Sequence, residues 1–81
     1  MYFVYIVKCK DDTLYTGWTT DIENRLAKHN QGKGAKYTRS RYPVALQYLW
    51  EFATKEEAMK KEWAIKRLPR EKKLELIAGN E

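Results

Sequence analysis

Five side chains in this sequence are of the types that phosphoryl chemistry uses. They are Tyr5, Tyr15, Arg25, His29 and Glu62. Arginine clamps phosphates, and histidine accepts or relays protons near neutral pH. One carboxylate is enough to hold a Mg²⁺ or Mn²⁺ ion that keeps waters and a substrate phosphate as its other ligands. A phenol beside such a site can orient the attacking water or take its proton.

Each of these residues also has an ordinary structural interpretation, and their spacing leaves both open. Glu62 stands four residues before Lys66, which is the spacing of a local ion pair on a helix. Tyr5 and Tyr15 suit core aromatics whose hydroxyls reach the rim. His29 suits a histidine that is satisfied by a backbone group.

Residues 31–42 form a glycine-containing loop in which cations and aromatics alternate. They include Lys33, Lys36, Tyr37, Arg39, Arg41 and Tyr42. Four positive charges without a negative one suit phosphate contacts, and tyrosines suit stacking on bases or sugars. A solvated loop is the alternative. We interpret a second basic cluster as a solvated helix face: Arg67, Arg70, Lys72 and Lys73.

Composition restricts the class of protein. The net charge of +5, from 16 basic and 11 acidic residues, suits a polyanionic partner as well as a plain basic surface. A hydrophobic content of 43% in 81 residues predicts one domain and excludes a disordered chain. Neither a membrane span nor a signal peptide is visible. Cys9, the single cysteine, predicts a reduced, cytoplasmic protein and a small core position.

The length of the loop between the first two predicted strands decides whether Tyr5 and Tyr15 lie on the same face of the sheet. Residues 2–9 form a continuous apolar run, which predicts a central strand, and residues 14–18 alternate as a second strand. A two-residue turn at Asp11–Asp12 places Tyr5 and Tyr15 on opposite faces of the sheet, whereas a three-residue loop places them on the same face. The sequence does not settle the loop length. If the tyrosines share one site, the odd-length loop or a bulge is required, and this is what we expect.

A first helix is expected over residues 20–30. Thr20 and Glu23 have the spacing of a capping box. Arg25 and His29 are one turn apart, on the border of the apolar face. This position lets them face a cleft.

A third strand and two more helices complete the pattern. Residues 44–52 carry apolar side chains at even positions, and Pro43 suits an edge strand. Thr54 and Glu57 form a second capping box for a helix that runs to about residue 67. The inward positions of this helix are predicted to be Ala58, Met59, Trp63 and Ile65, with Glu62 among them. A last helix starts at Pro69, with Leu74 and Ile77 as its apolar positions.

Four elements in order resemble the GIY-YIG nuclease superfamily. They are Phe3-Val4-Tyr5, Tyr15-Thr16-Gly17, the pair Arg25 and His29, and Glu62-Trp63-Ala64-Ile65-Lys66. The run Gly34-Ala35-Lys36-Tyr37-Thr38-Arg39 is similar to its small stand-alone (UPF0213-like) bacterial branch. The resemblance covers nearly the whole chain, although Phe3 replaces the first glycine of the name and Thr16 an isoleucine.

The resemblance implies an α+β fold in one domain, residues 1–81. A three-stranded antiparallel sheet with the first strand central is flanked by helices in the order β-β-α-β-α-α. The implied activity is metal-dependent endonucleolytic hydrolysis of DNA with low sequence specificity, in DNA repair or recombination. One Mg²⁺ or Mn²⁺ ion and DNA are the implied cofactor and partner, without a small-molecule cofactor.

The resemblance also implies a role for each motif residue. Tyr5 and Tyr15 match the motif tyrosines, one of which acts on the attacking water. Gly17 matches a glycine that lets backbone come close. Arg25 matches the phosphate-binding arginine, and His29 matches a histidine one turn later, the nearest proton acceptor.

Glu62 matches the metal ligand of the family, and Lys66 lies beside it as a DNA-binding residue. The metal, Arg25 and Lys66 are expected to lower the pKa of the acting tyrosine. Asn80 is a poor match for a late asparagine of many members, which favours the alternative of a binding module without catalysis. A third interpretation is a protein-binding adaptor that uses exposed tryptophans: Trp18, Trp50 or Trp63.

Overall fold

The computed structural model describes residues 1–79, so the expectations for Asn80 and Glu81 lie outside the described residues. The elements are β1 (Tyr2–Lys8), β2 (Leu14–Thr19), α1 (Ile22–Asn30), β3 (Ala45–Phe52), α2 (Lys55–Lys66) and α3 (Arg70–Ile77). Their order confirms the α+β class. Within the described part of the chain, none of the helices is long and apolar enough to span a membrane.

The three strands form one antiparallel sheet in the order β2-β1-β3. β1 is central, and its residues 4–7 have no exposed surface. A strand that is covered on both faces needs apolar side chains on both faces, which explains its continuous apolar run. The central first strand is therefore confirmed.

The hairpin between β1 and β2 closes with a three-residue loop, residues 10–12. The Cys9 amide donates to the Thr13 carbonyl at 2.8 Å, and the Asp12 amide donates to the Cys9 carbonyl at 3.0 Å. Asp12 has a φ of 66°, the left-handed conformation that ends such a loop and that aspartate tolerates. The odd-length loop is confirmed.

This loop sets the register of the two motif strands. Tyr5 lies opposite Gly17, and Val7 lies opposite Tyr15. Side chains at directly opposed positions share a face of the sheet, so Tyr5 and Tyr15 lie on the same face. The sheet thereby brings both tyrosines to one site.

The sheet has a core on each face. On one face, α2 packs on β1 through Val4, Ile6, Ala58 and Ile65. On the other face, the cluster is Tyr5, Val7, Cys9 and Val44, with Ile22 and Leu26 of α1 against it. Cys9 is buried, as expected.

The predicted inward face of α2 was partly wrong. Ala58 and Ile65 are buried, but Met59 is 46% exposed and Trp63 is 62% exposed. At about 100° per residue, Met59 and Trp63 lie roughly 100° and 140° from Ala58, whereas Glu62 lies about 40° from it. Glu62 therefore lies at one edge of the inward face, beside the buried Ala58 and Ile65.

Two smaller expectations need correction and a third is confirmed. Asp21 caps α1, since its Oδ1 accepts from the Asn24 amide at 3.1 Å, and the helix starts at Ile22 without a Thr20 capping box. The Thr54 capping box of α2 is present. Leu74 is exposed because α3 meets the core only through its C-terminal end.

The alternation in β3 is broken by a shift of register. Ile6 pairs with Tyr48 and Val7 pairs with Leu46, which leaves Gln47 as an extra residue. Leu46 therefore turns to the opposite face from Tyr48 and is 40% exposed. The edge position of this strand is confirmed, but the prediction of a single apolar face over residues 44–52 was wrong.

Candidate active site

Four of the five candidate side chains meet on the face of the sheet that α1 covers. The ring centroids of Tyr5 and Tyr15 are 6.4 Å apart, and the His29 ring lies 5.8 Å from Tyr5 and 5.6 Å from Tyr15. Nε of Arg25 donates a hydrogen bond to the Tyr5 hydroxyl at 3.3 Å. One turn of α1 therefore brings a cation and an imidazole to both phenols.

Gly17 provides the space for the Tyr5 ring. A Cβ atom at Gly17 would lie 2.5 Å from the Tyr5 hydroxyl oxygen and 2.8 Å from Cζ. The sequence predicted that this glycine lets backbone come close. The structure shows instead that the phenol of Tyr5, the residue opposite it in β1, needs this space.

A directed chain of hydrogen bonds runs through this cluster. The Thr38 hydroxyl donates to the Ala35 carbonyl at 3.1 Å, because a carbonyl oxygen can only accept. The single proton of this hydroxyl is thereby used. Nδ1 of His29, 2.6 Å from the Thr38 oxygen, is therefore the donor of that bond. This tautomer leaves a lone pair on Nε2 of His29, which accepts from the Tyr5 hydroxyl at 2.9 Å.

His29 has no exposed surface, so its predicted position at the border of the helix face was wrong. Residues 31–42 fold over the ring. A Cβ atom at Gly34 would overlap the imidazole, and Thr38 is also fully buried. The sequence predicted no role for Gly34 or Thr38, although both lie in the motif run at residues 34–39.

Burial and charge set the protonation of the cluster. Burial, followed by the positive charge of Arg25, lowers the pKa of His29, which is therefore neutral near pH 7. Burial raises the pKa of Tyr5 and outweighs the opposing hydrogen bond and charge of Arg25. Arg25 acts in the expected direction on the pKa of Tyr5, but the net pKa is raised because a fully buried phenol loses more hydration than Arg25 replaces.

Glu62 approaches the same cluster from α2. Its Oε2 lies 3.4 Å from Nζ of Lys66, and its side chain is 18% exposed. Its negative charge contributes to the raised pKa of Tyr5, and Nζ of Lys66 lies 5.7 Å from the centroid of the Tyr15 ring. The local ion pair that the spacing suggested is present, and its lysine lies over the Tyr15 ring.

The residues present fit a hydrated ion better than an ion enclosed by protein. Across residues 1–79, three or more His, Cys, Asp or Glu side chains do not gather at any metal-binding distance. Mg²⁺ is commonly held by one or two carboxylates, several waters and a substrate phosphate. Glu62, partly exposed and paired with a lysine that lies over the Tyr15 ring, suits such a single-carboxylate site.

The loop of residues 31–42, called the basic loop below, packs against the candidate site more closely than its composition suggested. Tyr37 stacks on Tyr15 at 5.8 Å and 21°, and the Arg41 guanidinium lies 4.2 Å from the Tyr37 ring centroid. Arg41 also bonds Asp11 at 3.1 Å, so part of its charge is used within the protein. The exposed cations of the loop are Lys33, Lys36 and Arg39.

A family model described as the GIY-YIG catalytic domain matches residues 1–75. The chain belongs to the GIY-YIG family. Its relatives within the family include the UPF0213 protein SH2523 of Staphylococcus haemolyticus, 57% identical over 94% of this chain and 93% of that protein. The UPF0213 protein CPE1444 of Clostridium perfringens is 55% identical over 98% of this chain and 85% of that protein.

Two solution NMR structures share the fold. The UPF0213 protein BH0048 from Bacillus halodurans is 52% identical, with a TM-score of 0.63 over 96% of this chain and 84% of that one. The protein EF2693 from E. faecalis is 40% identical, with a TM-score of 0.66 over 96% and 83%. The GIY-YIG scaffold described above is thus similar to experimentally determined folds.

Proposed function

We propose that this chain is a divalent-metal-dependent endonuclease that hydrolyses DNA phosphodiester bonds with low sequence specificity. The observation that carries the proposal is the buried chain from Arg25 through Tyr5 and His29 to Thr38. A neutral histidine that accepts from a phenol and has its other nitrogen fixed is arranged to receive a proton. An ordinary core histidine does not need a phenol and an arginine in this order.

The residues divide the work of an in-line attack by water. Arg25 uses the N–H groups that are not bonded to Tyr5 to hold the phosphoryl oxygens and to stabilise the charge that develops there. Tyr5 is fully buried, so the attacking water reaches its hydroxyl when Arg25 turns towards the phosphate. Tyr5 takes a proton from this water and passes its own proton to Nε2 of His29.

Glu62 is the residue that would hold the divalent ion. When bound, such an ion neutralises phosphate charge and stabilises the leaving oxygen. Tyr15 is only half-buried and lies between His29, Lys66 and Tyr37, where it limits the path of the attacking water. DNA repair or recombination is the process that such a low-specificity activity suits.

A binding module on the same scaffold is the second candidate. The observation that favours it is that Glu62 already has a partner in Lys66, so the cluster is satisfied without an ion. Such a module binds DNA in a salt-dependent manner and does not cut it.

Cleavage of duplex, single-stranded and branched DNA, with Mg²⁺, Mn²⁺ or chelator, tests the proposal. Glu62→Ala is compared with the wild type. Removing a partly exposed ion pair costs at most about 1 kcal/mol, so the variant stays folded. Metal-dependent cutting that is lost in Glu62→Ala supports the nuclease. A Glu62→Ala protein that still cuts refutes the metal assignment, and binding without cutting by either protein favours the module.

A further inference from the structure

A concave groove lies next to the candidate active site, between the start of β2, the basic loop and α3. Its volume is about 220 Å³, and its lining residues are Thr13, Leu14, Tyr37, Arg70 and Lys73. Tyr37 forms one wall and stacks on Tyr15 at 5.8 Å. We call this feature the α3 groove. Because one of its walls contacts a tyrosine of the cluster, a ligand that spans both would pass over Tyr37.

The lining side chains of the α3 groove carry positive charge, while the neighbouring Asp11 carboxylate bonds Thr13 and Arg41. The lining includes two cations and no acidic residue. Lys73 is half-buried, and burial together with the positive charge of Lys66 lowers its pKa. Within residues 1–79 the Lys73 ammonium group has no ion-pair or hydrogen-bond partner. Its neighbour Lys72 differs, because it is exposed and pairs with Glu75 at 3.4 Å.

Arg70 is fixed at the groove by the hairpin. Its Nη1 donates to the Asp12 carbonyl at 2.7 Å, at the left-handed residue that ends the β1–β2 loop. One contact leaves the other guanidinium N–H groups for a ligand, and their planar arrangement matches phosphate oxygens. The expectation that this basic cluster is a solvated helix face holds for Arg70, which is exposed, and fails for Lys73, which is half-buried; both line the groove.

We propose that the α3 groove binds a second backbone phosphate of the DNA strand, near the phosphate that is cleaved. The inference rests on the proposed function, since it places the same strand across Tyr37 from one site to the other. Arg70 and Lys73 contact this phosphate. The contact fixes the position of the strand and does not read its sequence, as is typical of phosphate contacts.

DNA binding in chelator, where no cleavage is needed, tests the groove. Lys73→Met removes the charge and keeps the aliphatic stem, and Lys72→Met is the matched control on the same helix. We expect the plot of log affinity against log salt to be shallower by about 0.7 to 0.9 for Lys73→Met, as for the loss of one phosphate contact. Equal slopes for the two folded variants would overturn the inference.

A second arm locates the phosphate. Single phosphates of a short DNA strand are replaced in turn by neutral methylphosphonates, and each is bound to wild type and Lys73→Met. At one position near the cleavage site, the neutral methylphosphonate should weaken DNA binding by the wild type but not by Lys73→Met. Binding of inorganic phosphate is measured with the same two proteins. If Lys73→Met weakens the binding of inorganic phosphate, but no phosphate of the strand shows a Lys73-dependent effect, the groove takes free phosphate and the DNA assignment is wrong.

The two proposals can fail separately. If the wild type cuts DNA, but Lys73→Met and Lys72→Met bind DNA equally, the groove proposal falls and the nuclease proposal stands. If the wild type never cuts DNA, but one phosphate of the strand shows a Lys73-dependent effect on binding, the groove proposal stands and the nuclease proposal falls.

Discussion

Thr38 fixes the orientation and the tautomer of His29. Its oxygen lies 2.6 Å from Nδ1 of His29, while its hydroxyl donates to the Ala35 carbonyl. Both side chains are fully buried. Because a buried donor needs an acceptor, this single hydroxyl keeps the proton on Nδ1 and the lone pair on Nε2, which faces Tyr5.

Thr38→Val should weaken both stability and activity. It keeps the shape of the side chain but leaves Nδ1–H of His29 without an acceptor, at a cost of about 1 to 3 kcal/mol in the free energy of unfolding. We expect kcat to fall at least about tenfold, because the tautomer is no longer fixed. Nitrogen NMR of His29, denaturant unfolding and kinetics measure the three effects.

Thr38→Ser is the control for this prediction. It restores the hydroxyl and should recover the tautomer and most of kcat. If Thr38→Ser is as impaired as Thr38→Val, the role of Thr38 is packing rather than proton placement.

Stability should depend on pH through His29. Burial and Arg25 depress its folded pKa below the unfolded value of 6.5, so the unfolded chain binds the extra proton first. The free energy of unfolding therefore rises with pH between the folded pKa of His29 and 6.5. The stability that neutral His29 contributes is lost as the pH falls through this window. Arg25, Tyr5 and Tyr15 are the groups that face the ring.

Denaturant unfolding between pH 5 and 7.5, for wild type and His29→Gln, measures this dependence. The part of the slope of unfolding free energy against pH that comes from His29 should be absent in His29→Gln, whatever the absolute stability of this variant. An unchanged slope would show that other groups carry the pH dependence.

The pH profile of cleavage should follow His29 rather than a tyrosinate. Tyr5 is protonated at rest, since burial raises its pKa, and it passes its proton to a neutral His29. We expect kcat/KM to fall on the acid side with a pKa below 6.5 and to be level between pH 7 and 9. A continuous rise from pH 7 to 9 would indicate that a tyrosinate forms before the reaction.

Gly17→Ala should displace Tyr5. The added Cβ overlaps the phenol oxygen and Cζ, and crowding of this kind in a packed core costs about 1 to 3 kcal/mol. The Gly17→Ala/Tyr5→Phe double variant lacks the nearest atom, so it should recover part of that loss. Thermal unfolding of both single variants and the double variant measures the coupling, and strict additivity would argue against the contact.

The sequence by itself determined the order of the elements, whereas it left open the loop length that sets the register of β1 and β2. The apolar run of β1 required cover on both faces, and the Thr54–Glu57 capping box set the start of α2. The three-residue loop placed Tyr5 and Tyr15 together, because strand side chains alternate with a period of two. The apolar run and the capping box depend on neighbours along the chain, so local patterns predict them, and strand alternation gives the shared face of the tyrosines once the loop length is known.

Only the tertiary structure decided how the cluster is completed. His29 is buried because the loop of Gly34 and Thr38 folds over it, and α1 alone gives no sign of that cover. Met59 and Trp63 look apolar in sequence, yet the sheet meets the face of Ala58 and Ile65. Each of these outcomes depends on contacts between segments far apart in the chain, and packing against a distant segment overrides the local preference of a residue.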